Sequence, residues 1–260
     1  MTRPTIIITG ASRGLGAAAA RAAAQWGANV VLAARSAGAL QSLVGEIQST
    51  APEGSGPGGV LVVVADIGRE EDCRAIVRRA LDTFDRIDGL INNAGQIEPL
   101  ARIADAGLRE WERSWQVNLL GPLILTQLAL PALRLSGGRV INLGSGAATA
   151  ALPGWSAYST AKAALEHLTR ILAAEEASIT ALTVRPGIVD TAMQAEIRAR
   201  GRGGMAPADY ERLSGLHQQG RLTPPEGPGR AIARLALYAP HEWSGQTVRW
   251  DEEKVKELFL

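Results

Sequence analysis

The stretch Thr5-Ile6-Ile7-Ile8-Thr9-Gly10-Ala11-Ser12-Arg13-Gly14-Leu15-Gly16, followed by Ala17-Ala18-Ala19-Ala20-Arg21-Ala22-Ala23-Ala24, decides the fold. A β-branched run, a cluster of glycines and an alanine-rich segment of high helix propensity read as strand, tight turn and helix. Glycine tolerates positive φ and lets backbone N–H groups approach an anion, and a helix N-terminus adds about half a positive charge there. The turn therefore suits a pyrophosphate. Three residues separate Gly10 from Gly14, so the spacing is not that of G-x-G-x-x-G, and an ordinary strand-to-helix turn is the competing reading of the glycines alone.

Working outward, further short apolar runs occur at Asn29–Ala33, Val60–Ala65, Gly89–Asn92, Arg139–Leu143 and Thr180–Val184, with helix-length segments between most of them. This alternation predicts a parallel sheet. Val60 to Val64 is apolar at every position, which predicts a strand covered on both faces and hence a doubly wound α/β architecture with two helix layers. We expect one domain spanning residues 1–260, a surface loop over Ala51–Gly59, and an irregular segment from about Asp190 to Pro228 acting as a substrate lid.

Composition removes several function classes. Basic and acidic residues nearly cancel, 27 − 26 = +1, so no global charge marks a nucleic-acid or membrane-surface binder. The single cysteine, Cys73, has no partner for an intrachain disulfide and is expected to be an inert thiol in a reducing compartment. His167, His217 and His241 are scattered without ligand spacing, so no metal is expected. With no signal-like segment between Met1 and Ile8 and no uninterrupted apolar run of membrane length, a cytoplasmic protein is expected.

The end of strand two reads Ala33-Ala34-Arg35-Ser36, without the Asp or Glu that would bond a ribose 2′-hydroxyl. Arg35 and Arg13 are instead suited to a 2′-phosphate, so the nucleotide expected is NADP(H), with two solvated surface arginines as the alternative. Farther on, Tyr158 and Lys162 stand at i and i+4 in a helical segment and so share one face, thirteen residues after Ser145. A phenol is a sluggish proton carrier at neutral pH. An ammonium about 4 Å away, at an effective dielectric of about 20, is worth ~4 kcal/mol or about three pKa units, enough to poise Tyr158 near neutrality.

Taken together, the glycine turn, Asp66-Ile67, Asn92-Asn93-Ala94-Gly95, Asn118, Ser145, Tyr158, Lys162 and Pro186-Gly187-Ile188-Val189-Asp190-Thr191 resemble the short-chain dehydrogenase/reductase family over essentially the whole chain. The resemblance implies a Rossmann-type fold with Tyr158 as acid/base, Ser145 bonding the substrate carbonyl, and Lys162 serving both Tyr158 and the nicotinamide ribose. Asn118 is implied to hold a relay water. On the cofactor side the residues themselves point to Gly10, Ser12, Arg13, Gly14, Leu15 and Gly16 at the pyrophosphate turn and Arg35 at the 2′-phosphate, and the resemblance implies Asp66 and Ile67 at the adenine. It also implies Asn93, Ala94 and Gly95 at the adenosine ribose, and Pro186, Gly187, Val189 and Thr191 at the nicotinamide amide.

The C-terminal Trp243 to Glu253 and the segment Asp190 to Gln194 are similar to the sepiapterin-reductase-like and benzil-reductase-like branch, which implies ketone or vicinal dicarbonyl substrates. Trp155 and Met193 are candidate walls of the substrate pocket, as is Met205, each weighed against plain packing. Trp111 and Trp115 read as a core or subunit-contact face. The family also implies a homodimer or homotetramer. A 3-oxoacyl thioester or steroid dehydrogenase and a non-catalytic NADP(H) sensor are the rival functions.

Overall fold

The computed structural model describes residues 3–49 and 58–259 and contains one seven-stranded parallel sheet in the order β3-β2-β1-β4-β5-β6-β7. The strands are β1 (Thr5–Thr9), β2 (Asn29–Ala34), β3 (Val60–Val64), β4 (Gly89–Asn92), β5 (Arg139–Leu143), β6 (Thr180–Arg185) and β7 (Thr247–Arg249). The described helices are α1 (Gly14–Gln25), α2 (Ala37–Ser49), α3 (Glu70–Phe84), α4 (Leu108–Trp115), α5 (Gly121–Ser136), α6 (Ser156–Glu175), α7 (Ala192–Arg200), α8 (Pro207–Gln218), α9 (Glu226–Tyr238) and α10 (Glu253–Glu257). One turn of π-helix, Gln116–Leu120, joins α4 to α5.

The period-two alternation of a strand divides the core. Ile6 and Ile8 of β1, with Val30 and Leu32 of β2, pack against α1, α2 and α9, whereas Ile7 and Val31 face α3, α5 and α6. Both layers are thus built on the same strands, as the doubly wound expectation requires. Small side chains let α1 lie close to its neighbours: Ala17 to Ala20 and Ala22 to Ala24 are all buried. A third apolar cluster sits away from the sheet, where Ile97, Trp155, Tyr158, Ile197, Met205 and Leu213 meet beneath α7 and α8.

Three expectations need correction. Val60 to Val64 is not a covered central strand: β3 is the last strand of the sheet, hydrogen-bonded to β2, and Val64 is 54% exposed. Apolarity at every position reports packing opportunity and cannot distinguish an edge from a centre. Residues 190–228 are not irregular, because they form α7 and α8; Ala206 before Pro207 starts the second of these, with proline in the first turn where its missing N–H costs nothing. Met205 is buried against Gly201 and does not reach the cleft wall. Most of the expected loop Ala51–Gly59 lies outside the described residues.

The run Leu108–Ser136 is 29 residues long, and by length and composition alone it passes for a membrane span. Its Leu125, Ala129 and Leu133 stripe is buried in the core against the sheet.

Candidate active site

The ends of the parallel strands open on one cleft of about 1050 Å³. In a sheet of this order the connections leave β1 and β4 in opposite directions, and that switch point is where open α/β sheets bind ligands. Of the residues expected from the sequence, Ser12, Arg13, Leu15, Arg35, Asp66, Ile67, Ala94, Ser145, Trp155, Tyr158, Lys162, Val189, Thr191 and Met193 line this cleft, as do Gly10, Gly14, Asn93, Gly95, Pro186 and Gly187. Gly16 and Asn118 do not line it. Cleft-lining residues that the sequence reading missed include Arg113, Val117, Ile197 and Leu213, brought by helical segments that local spacing does not tie to a strand end, and Arg185 and Gln194, which adjoin the expected Pro186 and Met193.

The glycine turn is constrained by backbone approach. Gly10 has φ +65°, and a Cβ there would fall 2.9 Å from the Ala94 Cα. A Cβ on Gly16 would fall 2.3 Å from the Gly10 carbonyl oxygen, so the start of α1 is pressed onto the turn and only glycine fits. Asn93 braces the same turn: its Nδ2 donates to the Thr9 carbonyl at 2.8 Å, and its N–H donates to Thr9 Oγ1 at 3.0 Å. Its amide is engaged with β1. Across the cleft Thr191 Cγ2 comes within 3.1 Å of where a Gly14 Cβ would stand, so the loop after β6 closes over the turn. A glycine-rich, helix-opening anion cradle with arginines at one end fits a dinucleotide.

At the other end, β5 leads through Gly144 to Ser145, which caps a 3₁₀ turn: Ser145 Oγ accepts the Ala147 N–H at 3.1 Å. With its oxygen accepting, its own proton is free for another acceptor, and Ser145 is near enough to Tyr158 to act on its phenol. Tyr158 lies in the first turn of α6, buried, its ring edge-on to Trp155 with centroids 5.9 Å apart. Lys162, one turn later, is buried with Nζ 5.7 Å from the centroid of the Tyr158 ring and donates to the Leu143 carbonyl at 2.7 Å.

The expected depression of the phenol does not appear. Burial raises the Tyr158 pKa and the Ser145 hydrogen bond only partly offsets this, while burial lowers the Lys162 ammonium to about 8. In this dry setting burial dominates both groups, and Lys162 gives no offset of the size expected for an ammonium about 4 Å away at an effective dielectric of about 20.

Asn118 sits in the π turn, where Pro122 four residues on has no N–H to give. Its Nδ2 donates to the Gln96 carbonyl at 2.8 Å and to Ser114 Oγ at 3.1 Å, and its Oδ1 accepts the Gln96 N–H at 3.1 Å. The amide is therefore spent on clamping the segment after β4 to the helix. Cys73 is buried, with Sγ directed to the Ile67 carbonyl at 3.3 Å and its thiol pushed up to about 12 by burial, an inert group as expected. Trp111 and Trp115 stack at 6.1 Å, partly exposed, away from the cleft.

Comparison with known proteins agrees with this geometry. The short chain dehydrogenase family model matches residues 4–201. The chain is 33% identical over 262 residues to a benzil reductase, (S)-benzoin forming, of Saccharomyces cerevisiae, covering 96% of this chain and 97% of that one. It superposes on the crystal structure of the KRED1-Pglu enzyme with a TM-score of 0.88 and 37% identity, covering 94% of this chain and all of the other. An alcohol dehydrogenase from Thermococcus sibiricus, complexed with 5-hydroxy-NADP, matches with a TM-score of 0.78 and 25% identity over 95% of both chains. A cleft at the strand ends, a serine and a Tyr-x-x-x-Lys pair converging on it, and a family match over most of its length make this chain a member of the short-chain dehydrogenase family of oxidoreductases.

Proposed function

We propose that the protein is an NADPH-dependent carbonyl reductase acting on ketones and vicinal dicarbonyls. The observation that carries the reading is the meeting of Ser145, Tyr158 and Lys162 at the end of the cleft where the apolar Trp155, Ile97 and Ile197 cluster also stands. NADPH, when bound, supplies the hydride. Hydride arrival makes the carbonyl oxygen negative, and two O–H donors must already face it. Tyr158, whose buried phenol stays protonated at neutral pH, donates the proton, and Ser145 donates the second hydrogen bond. Lys162, fixed to the end of β5 through Leu143, places a cation beside the phenolate left behind.

Arg13 and Arg35 both line the opposite end, where the absence of an acid after β2 favours the 2′-phosphate of NADP(H) over the free hydroxyl of NAD(H). The apolar wall around Tyr158, and the benzil reductase among the relatives, support dicarbonyls over charged acyl thioesters. Association into a homodimer or homotetramer belongs to the same proposal: Leu120, Leu135 and Ile171 leave apolar surface exposed on the π turn, α5 and α6, and light scattering reads the mass.

The test is consumption of NADPH by the isolated protein over a panel of vicinal diketones, simple ketones, 3-oxoacyl thioesters and steroids. Turnover is expected to be fastest with the diketones. A preference for thioesters or steroids replaces the substrate class, and NADPH binding without consumption on any member of the panel replaces the enzyme with a sensor.

A further inference from the structure

We propose that Arg113 builds the adenine end of the cleft, its guanidinium reaching in from α4 to hold the Asp66 carboxylate in one orientation. The proposal rests on the dinucleotide reading above and goes beyond it to a residue that no local motif marks. Asp66 follows β3, and its partners are all protein groups: Oδ1 accepts the Gly68 N–H at 2.9 Å, Oδ2 accepts from Arg113 Nη2 at 2.5 Å, and its own N–H donates to Asp72 Oδ2 at 2.8 Å. Both carboxylate oxygens are thereby fixed. Burial pushes the Asp66 pKa up, but the Gly68 hydrogen bond and Arg113 more than reverse this and hold it below the usual carboxylate range.

The guanidinium occupies space that a side chain at residue 68 would need, since a Cβ on Gly68 would lie 2.1 Å from Arg113 Nη1. Four residues after Arg113, in the π turn that follows α4, Val117 lines the cleft alongside Ile67, so this continuous helical run supplies both the cation and the apolar side of the slot. Arg113 also lines a neighbouring cavity of about 480 Å³, sharing the boundary between that cavity and the cleft with Gln96 and Glu98. A planar, permanently charged fork suits this place, because it neutralises the Asp66 carboxylate at the adenine end and fixes its orientation. Arg113 is accordingly a positioning residue, acting on the cofactor through Asp66.

The experiment measures binding of NADPH, NADH, AMP and reduced nicotinamide mononucleotide to intact wild-type protein and to Arg113→Ala and Arg113→Lys, by tryptophan fluorescence and calorimetry. Loss of a charge-assisted hydrogen bond predicts that Arg113→Ala binds NADPH, NADH and AMP about tenfold more weakly, in parallel, because all three carry adenine. The mononucleotide, which lacks adenine, is expected to bind as in wild type, and the kinetic loss to fall on the cofactor KM rather than kcat. Arg113→Lys keeps the charge without the fork and is expected to lose less; it also serves if the alanine variant does not fold. Unchanged AMP affinity in both variants, or an equal loss for the mononucleotide, overturns the proposal. Wild-type protein that binds neither dinucleotide overturns the reading beneath it, an outcome distinguishable from variants that bind as well as wild type.

Discussion

At the scale of single residues, the site is governed by what burial does to two titratable groups. Lys162 loses its proton as pH rises through about 8, and Tyr158 keeps its own above the ordinary phenol range. Below pH 8 the pair is a neutral acid beside a cation, the state suited to protonating a carbonyl oxygen; above it the cation that stabilises the resulting phenolate is gone. We therefore expect kcat/KM for reduction to be level below pH 8 and to fall above it, and a rate rising through pH 8 to 10 would contradict this assignment. Charge reversal or removal at both Arg13 and Arg35 is expected to raise the KM for NADPH by about tenfold or more while moving that for NADH little. An equal change for both cofactors would remove the 2′-phosphate role. The identities of Ser145, Tyr158 and Lys162 were legible because their order and spacing are local or nearly so. Their partners were not: Lys162 bonds a carbonyl 19 residues back, and Asp66 pairs with an arginine 47 residues on.

At the scale of elements, α6 carries Tyr158 and Lys162, and the sheet holds it at several points. Asn142 Nδ2 on β5 donates to Thr169 Oγ1 at 2.9 Å, and Thr183 Oγ1 on β6 donates to the same oxygen at 3.0 Å. Asn92 extends this buried chain to β4, its Nδ2 donating to Asn142 Oδ1 at 2.8 Å. Glu166, buried one turn beyond Lys162, accepts from Arg170 Nη2 and from Arg185 Nη2, each at 2.9 Å. Arg185 immediately precedes Pro186, so this pair links α6 to the loop proposed to hold the nicotinamide. Glu166→Gln removes the charge that both arginines face. Because the arginines are partly exposed, the expected loss is about 1–3 kcal/mol of stability rather than the full cost of a buried unpaired charge. Denaturant unfolding reads it, and a change under about 0.5 kcal/mol would mean that Glu166 does not tether the loop. Six strands were legible from apolar runs, but β7, only three residues long, was not, and the edge position of β3 and the helices α7 and α8 depended on neighbours distant in sequence.

At the scale of the whole molecule, the proposed function follows from where a parallel sheet ends. Strands that run the same way deliver their connecting loops to one edge, so a glycine turn after β1, an acid after β3, a serine after β5 and a Pro-Gly loop after β6 share one cleft despite lying far apart in the chain. Helices of both layers then add what the strands lack: α6 brings Tyr158 and Lys162, α4 brings Arg113, and α7 and α8 add Met193 and Leu213 to the cleft wall. The central claim is that the Tyr158 phenol supplies the proton in carbonyl reduction. The most direct measurement is NADPH oxidation with a vicinal diketone by Tyr158→Phe, together with the Kd of the variant for NADPH. General-acid catalysis of about 10²–10⁴-fold predicts at least a hundredfold loss of kcat with cofactor affinity nearly unchanged; turnover within a few-fold of wild type would contradict it.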